Sequence, residues 1–187
     1  MTNQYGILID LKRCIGCHTC TFACKIENDV QPGSWIHVKT EGGPHMDTPE
    51  GIYPNVRMHY LPKTCNHCRR PTCLPVCPTH AIYKRKDGIV LIDKDKCMGC
   101  KLCIEACPYE APIFNPETSI VEMCTLCSHR IDNGLEPFCV TCCPTRAMEF
   151  GDINDPNSEI SRLIRKKRAY VLMPERDTQP AVYYYPP

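Results

Sequence analysis

The chain has 187 residues and a formal charge of +1, with 17 cysteines but only 4 Phe and 1 Trp. Its length allows one domain, or two very small ones fused together, and cysteine at about 9% signals either a disulfide scaffold or bound metal. No basic stripe interleaved with aromatics marks a nucleic-acid surface, and no apolar run approaches the length of a bilayer span. Neither nucleic acid nor direct membrane insertion is therefore expected.

In chain order, Tyr5–Asp10 (YGILID) is predicted as a strand leading into a first cysteine group, Cys14, Cys17, Cys20 and Cys24, spaced C-x2-C-x2-C-x3-C. Residues 27–64 are rich in Gly, Pro and His, carry the single Trp35 and read as a long ordered loop insertion. The second group is Cys65, Cys68, Cys73 and Cys77, closed by Pro78. Residues 81–84 and 88–93 then form a hairpin on the Lys86-Asp87-Gly88 turn. The third group, Cys97, Cys100, Cys103 and Cys107, repeats the first spacing and ends in Pro108. The fourth, Cys124, Cys127, Cys139 and Cys143, contains an eleven-residue step and ends in Pro144. A strand at 147–151 follows, then an amphipathic helix over 157–168 capped by Asn157 or Ser158. Prolines keep 170–187 extended, and its Tyr183-Tyr184-Tyr185 run is too apolar to stay free. That run is expected to pack on a neighbouring subunit or back on its own domain.

The strand at 5–10 has no local hairpin partner, so 147–151 is its expected mate. A strand with a cysteine triplet makes half of a small ferredoxin, and a closing cysteine, proline and strand make the other half. The sequence therefore predicts an α+β fold of two ferredoxin-like modules, the second inserted in the first, with short β-hairpins, small helices and long loops. The outer module covers 1–30 plus 120–152 and the inner one 60–112. The loop insertion at 27–64 and a C-terminal extension at 153–187 complete one unit.

Three cysteines at C-x2-C-x2-C lie on a tight loop and converge on one corner region of a cubane. In the C-x2-C-x2-C-x3-C-P pattern the fourth cysteine serves the other cluster of a pair, and the proline stops the helix. Group one departs from this pattern, because Lys25 stands where proline would be. A zinc site wants two C-x2-C pairs and no more, which group four resembles in isolation and groups one and three do not. A disulfide scaffold fits poorly with an odd cysteine count, x2 spacings and an opening stretch that holds neither a signal-peptide core nor a twin-arginine motif. Four [4Fe–4S] clusters are the expected cofactors, and they would bring the net charge to about −7. Cys142 and Cys143 compete for one ligand role. The x3 step from Cys139 and Pro144 favour Cys143, which leaves Cys142 as a buried free thiol. His18, His67 and His129 sit in or beside the groups, where hydrogen bonding or packing is a better assignment than ligation. Of Lys12, Arg13, Lys63, Arg69, Arg70, Lys94, Lys96 and Lys101, about half are expected to raise cluster potentials and the rest to be solvated surface charge.

Four such groups in this order, with the long step inside the fourth, resemble the iron–sulfur electron-transfer subunit of the dimethyl sulfoxide reductase family of molybdenum/tungsten bis-pterin oxidoreductases. The likeness runs through YGILIDLKRCIGCHTC, KTCNHCRRPTCLPVCP, GIVLIDKDKCMGCKLCIEACPY, EMCTLCSHRIDNGLEPFCVTCCP and QPAVYYYPP. It implies that one cluster uses Cys14, Cys17, Cys20 and Cys143, and a second uses Cys124, Cys127, Cys139 and Cys24. It also implies an inner pair, Cys65, Cys68 and Cys73 with Cys107, and Cys97, Cys100 and Cys103 with Cys77. On this likeness the sixteen cysteines would bind all the iron, and the catalytic residues would lie on another subunit, with none expected in this chain. The resemblance further implies a large molybdopterin-containing catalytic partner, with a membrane anchor subunit or another electron carrier beyond it. The partner's substrate would be a sulfur compound, arsenate or a hydroxylated aromatic; a free-standing soluble polyferredoxin is the alternative. The expected location is cytoplasmic, or outside the cytoplasm by export of the folded chain on a signal-bearing partner.

Overall fold

The computed structural model describes residues 2–187. Strand β1 (Tyr5–Asp10) is the middle of a three-stranded sheet and is buried at Ile7, Leu8 and Ile9, so both of its faces are covered. A strand covered on both sides reads as a continuous apolar run, as YGILID does. Its partners come from the far end of the chain: β10 (Met148–Asp152) lies antiparallel, with Ile7 opposite Phe150, and β11 (Val182–Tyr185) lies parallel, with Ile9 opposite Tyr184. A Cβ on Gly6 would meet the Ala181 carbonyl, so the approach of the tail needs glycine there. The tyrosine run thus packs on its own sheet, as the second of the two expectations had it. Tyr184 is fully buried and donates its hydroxyl to the Pro62 carbonyl at 2.9 Å.

Helix α1 (Thr19–Asn28) runs straight through Cys24. With Lys25 in place of a proline, nothing stops the helix after the fourth cysteine. The expected loop over 27–64 is largely sheet. Strand β2 (Ile36–Glu41) pairs antiparallel with β5 (His59–Thr64), and between them β3 (Glu50–Ile52) and β4 (Asn55–Arg57) form an exposed hairpin. Glycine, proline and histidine hid these strands, because the apolar alternation is short and Pro62 interrupts β5. Proline survives there because β5 is an edge strand of the two-stranded β2–β5 ribbon.

The Asp-Gly hairpin forms as β6 (Ile82–Lys84) against β7 (Val90–Ile92). Helix α2 (Leu102–Ala106) stops before Cys107-Pro108. A hairpin without a glycine signal, β8 (Ile113–Asn115) with β9 (Ile120–Glu122), turns on Asn115, whose Oδ1 accepts from the N–H groups of Glu117 and Thr118. The one-turn helix α3 (Ser128–Ile131) lies in the long step of group four, and α4 (Phe138–Thr141), which carries Cys139 at the end of that step, packs on α1. Helix α5 (Glu159–Lys166) lies on β10 and is capped by Ser158, whose hydroxyl accepts from Ser161 N–H at 3.2 Å; such a cap contributes about 1 kcal/mol.

Two buried clusters hold the molecule together, and cysteines sit in both. Cys20 and Cys24 belong to the one built on β1, Trp35 and Tyr184; Cys65, Cys73 and Cys103 belong to the one built on β6, β7 and Tyr109. Cys124 packs against both. Among the described residues no helix is long and apolar enough to cross a membrane.

Candidate metal centres

Each cysteine triplet forms a loop that the following helix or turn continues. The first three thiols of a group therefore face one space, while the fourth is carried about one helical turn further on. The structure brings that fourth thiol to a different group. Cys65, Cys68 and Cys73 line a cavity with Cys107. Cys97, Cys100 and Cys103 line a second with Cys77, and Cys124, Cys127 and Cys139 line a third with Cys24. Cys14, Cys17 and Cys20 have Cys143 as their close neighbour. Among the described residues no three His, Cys, Asp or Glu side chains converge at the spacing of a single metal ion. The thiols stand around a space, where a zinc site would draw four of them onto one point at about 2.3 Å.

Burial disfavours the charged form of most of these thiols. Burial pushes Cys20 and Cys73 up to about 12, and Cys68, Cys103 and Cys124 up to about 11. Burial also raises Cys24, Cys65 and Cys139 strongly, and neighbouring thiols add to the effect. Such groups stay protonated alone, whereas a coordinated iron holds them as thiolates. Cys17, exposed at the surface, is lowered instead by the hydroxyl and N–H of Thr19. The hydroxyl contact two residues after a cysteine recurs at Cys17–Thr19, Cys77–Thr79 and Cys143–Thr145, with S···O of 3.3, 3.7 and 3.7 Å.

The four sets adjoin in one order. Cys20 acts on Cys24 and Cys139, Cys124 acts on Cys65, and Cys103 acts on Cys73. The set at Cys14 thus neighbours the set at Cys124, then the set at Cys65, then the set at Cys97. Met123 stands at the middle junction: it is 3% exposed, lines the Cys65 cavity and puts its Sδ 3.9 Å from Cys65 Sγ.

Of the three histidines, His18 is exposed. His129 shares a 2.8 Å hydrogen bond with Glu27. His67 is buried, its Nδ1 accepts from Val90 N–H at 3.1 Å, and burial lowers its pKa to about 4, so it is neutral at ordinary pH. Several basic residues near the groups are engaged with acids or rings: Lys63 with Glu110, Arg70 with Asp177, Lys96 with Asp93, and Lys12 over Tyr185. Lys101 alone lines one of the three cavities, with its ammonium 3.9 Å from the Phe114 ring centre. Cys142 is only half-buried; its Sγ lies 3.8 Å from the Cys139 carbonyl and 4.0 Å from that of Thr19.

Sequence reasoning missed Thr178 and Tyr109. The Thr178 hydroxyl is bonded to Cys68 and lies 2.5 Å from the Tyr109 hydroxyl, with both residues almost fully buried. Nothing local to Thr178 signals this, because Cys68 lies over a hundred positions earlier.

Residues 56–153 and 13–81 match families described as 4Fe-4S dicluster domains. The chain is 46% identical to a putative iron-sulfur subunit of the dimethyl sulfoxide reductase of Halobacterium salinarum, covering 98% of this chain and 79% of that protein. It is 44% identical to a tetrathionate reductase subunit of Salmonella typhimurium, over 97% of this chain and 72% of the relative. The arsenate respiratory reductase iron-sulfur subunit of a Shewanella species is 36% identical, over 97% and 95%. The chain belongs to the iron–sulfur subunits of the dimethyl sulfoxide reductase family. In this iron–sulfur subunit two dicluster domains account for four [4Fe–4S] clusters, and the four cysteine sets fit them in number and in donor chemistry.

Proposed function

We propose that the chain is the electron-transfer subunit of an anaerobic oxidoreductase, exchanging electrons with a molybdopterin-containing catalytic subunit. The observation that carries this reading is the crossed lining of the cavities, in which a triplet from one group meets the last cysteine of another. The ligand sets are Cys14, Cys17, Cys20 and Cys143; Cys124, Cys127, Cys139 and Cys24; Cys65, Cys68, Cys73 and Cys107; and Cys97, Cys100, Cys103 and Cys77. A [4Fe–4S] cluster supplies one-electron redox chemistry without proton transfer. The residues of this chain hold the sites in series, shield the middle two from water and donate hydrogen bonds to their sulfurs. The inner module, 60–112, would sit within an outer module of 1–30 plus 120–152; the β1–β10 pairing across nearly the whole chain supports that nesting.

A partner subunit is favoured over a free-standing polyferredoxin because the relatives are named as subunits of multi-subunit reductases. Anaerobic purification under native conditions is expected to bring down a large pterin-containing chain. Iron and acid-labile sulfide near sixteen of each per chain, with little zinc, are expected. Stoichiometric zinc, or a monomer that elutes alone from its own cells, would sink the proposal.

Cys142→Ser is expected to leave iron, sulfide and redox spectra unchanged, since Cys143 is the thiol beside Cys14 and Cys20. Loss of one cluster in that variant would transfer the ligand role to Cys142.

A further inference from the structure

Asn28 is the last residue of α1, and its side-chain amide faces the third cavity. Nδ2 lies 3.1 Å from the Cys24 carbonyl, 3.9 Å from Cys24 Sγ and 3.6 Å from Cys127 Sγ. An amide nitrogen has two protons, so one serves the carbonyl and the other forks between the two sulfurs. The orientation is held from the opposite side, where the Thr125 hydroxyl donates to Oδ1 at 3.4 Å. A flipped amide would press Oδ1 against the Cys24 carbonyl, two acceptors with no proton between them.

The bond to the carbonyl four residues back is ordinary for a helix end. The contact with Cys127, ninety-nine residues away, serves no helical purpose. It is also unlike the threonine contacts at the other groups, each of which touches the cysteine two positions before it. Asn28 instead bridges two thiols from different groups. The joint does not depend on it for its shape, because Glu27 accepts from His129 on α3 at 2.8 Å and from Arg130 at 3.3 Å across the same gap.

We infer that Asn28 is a positioning residue that raises the redox potential of the cluster at Cys24, Cys124, Cys127 and Cys139; this rests on the ligand set proposed above. Adding an electron increases negative charge on the sulfurs, so N–H groups aimed at them stabilise the reduced state more than the oxidised one. The Leu126 N–H, 3.3 Å from Cys124 Sγ, acts in the same direction on another thiolate of the set. The effect of Asn28 is therefore a shift within a site that already has a donor.

The test is a potentiometric titration of the assembled complex followed by electron paramagnetic resonance, with Cys139→Ser identifying the signal of this set. In Asn28→Leu the reduced-to-oxidised ratio of that cluster at a fixed potential is expected to fall about tenfold, which is 59 mV for one electron. The other three potentials are expected to stay in place. Asn28→Asp, nearly the same shape, is expected to move the same signal in the same direction by at least as much. Thr125→Val, which leaves the amide present but free to turn, is expected to give a smaller shift of the same sign. If Asn28→Leu fails to assemble, the Asp and Val variants decide. Unmoved potentials in fully loaded variants overturn the inference. A shift in a signal other than the one lost in Cys139→Ser would instead overturn the ligand assignment.

Discussion

In a Cys24→Ala chain the cluster expected to be lost or damaged is the one proposed at Cys124, Cys127 and Cys139, a hundred residues further along, while the one proposed at Cys14, Cys17 and Cys20 is expected to survive. The reason lies in α1. Cys20 and Cys24 are four residues apart on one helix, so they share a face at successive turns. Because Lys25 lets the helix continue, Cys24 is carried past the first site into the cavity lined by Cys124, Cys127 and Cys139. Cys143 takes the place beside Cys14 and Cys20 that Cys24 has left. Iron is expected to fall by no more than about four of about sixteen atoms per chain, and the change in resonance signals to be that of Cys139→Ser. A variant that lost the Cys14 signal and kept the group-four signal would show that the ligation is local and not crossed. Electron transfer across the complex is expected to fall sharply in either case, so rate alone does not decide; metal content and spectra do.

Tyr184→Ala is expected to cost about 3–5 kcal/mol, read as a lowered unfolding midpoint under anaerobic conditions. Tyr184 has no exposed surface, stacks at a tilt on Tyr170 with ring centres 5.9 Å apart, and ties the tail strand to β5 through the Pro62 carbonyl. Removing the ring empties the junction between the β1 sheet and the β2–β5 ribbon. Tyr184→Phe keeps the ring and loses one buried hydrogen bond, which should cost about 1–3 kcal/mol with the carbonyl left unpaired. Folding and metal binding are linked in such proteins. The Ala variant should therefore lose occupancy at all four sites together, in contrast to the single-site loss at Cys24. A normal midpoint with loss only of the co-purifying chain would mean that the tail serves the partner and not this fold.

Both results depend on contacts of very different range, and the sequence is unequally informative about them. The x2, x2 and x3 steps span one or two turns, where backbone geometry leaves little freedom, so the cysteine triplets and the stops at Pro78, Pro108 and Pro144 are readable directly. The same holds for the Asp87-Gly88 hairpin and for the Ser158 cap of α5. The strand at 5–10 is readable as central from its unbroken apolar run, and its antiparallel mate from the lack of any nearer partner.

Other features have no local signature. The arm at 36–64 hides behind glycine and proline, and the β8–β9 hairpin turns on an asparagine without a glycine. Asn28 and Thr178 are ordinary polar residues until the fold places them beside cysteines, with Thr125 and Tyr109 bonded to them from behind. The tyrosine run declares that it must be buried, and only the free edge of β1 decides where.

The cofactor type and the first three triplets are legible from spacings shorter than two helical turns, and the fourth group, with its eleven-residue step, is legible only from its place in the series. The tertiary structure decided which group supplies each fourth thiol, in what order the four sites adjoin, and which polar side chains reach them. Those choices are made by burial and by backbone hydrogen bonds between segments from opposite ends of the chain, such as the Ile7 N–H that donates to the Ala181 carbonyl at 3.1 Å. At that distance the chain's own geometry imposes no preference.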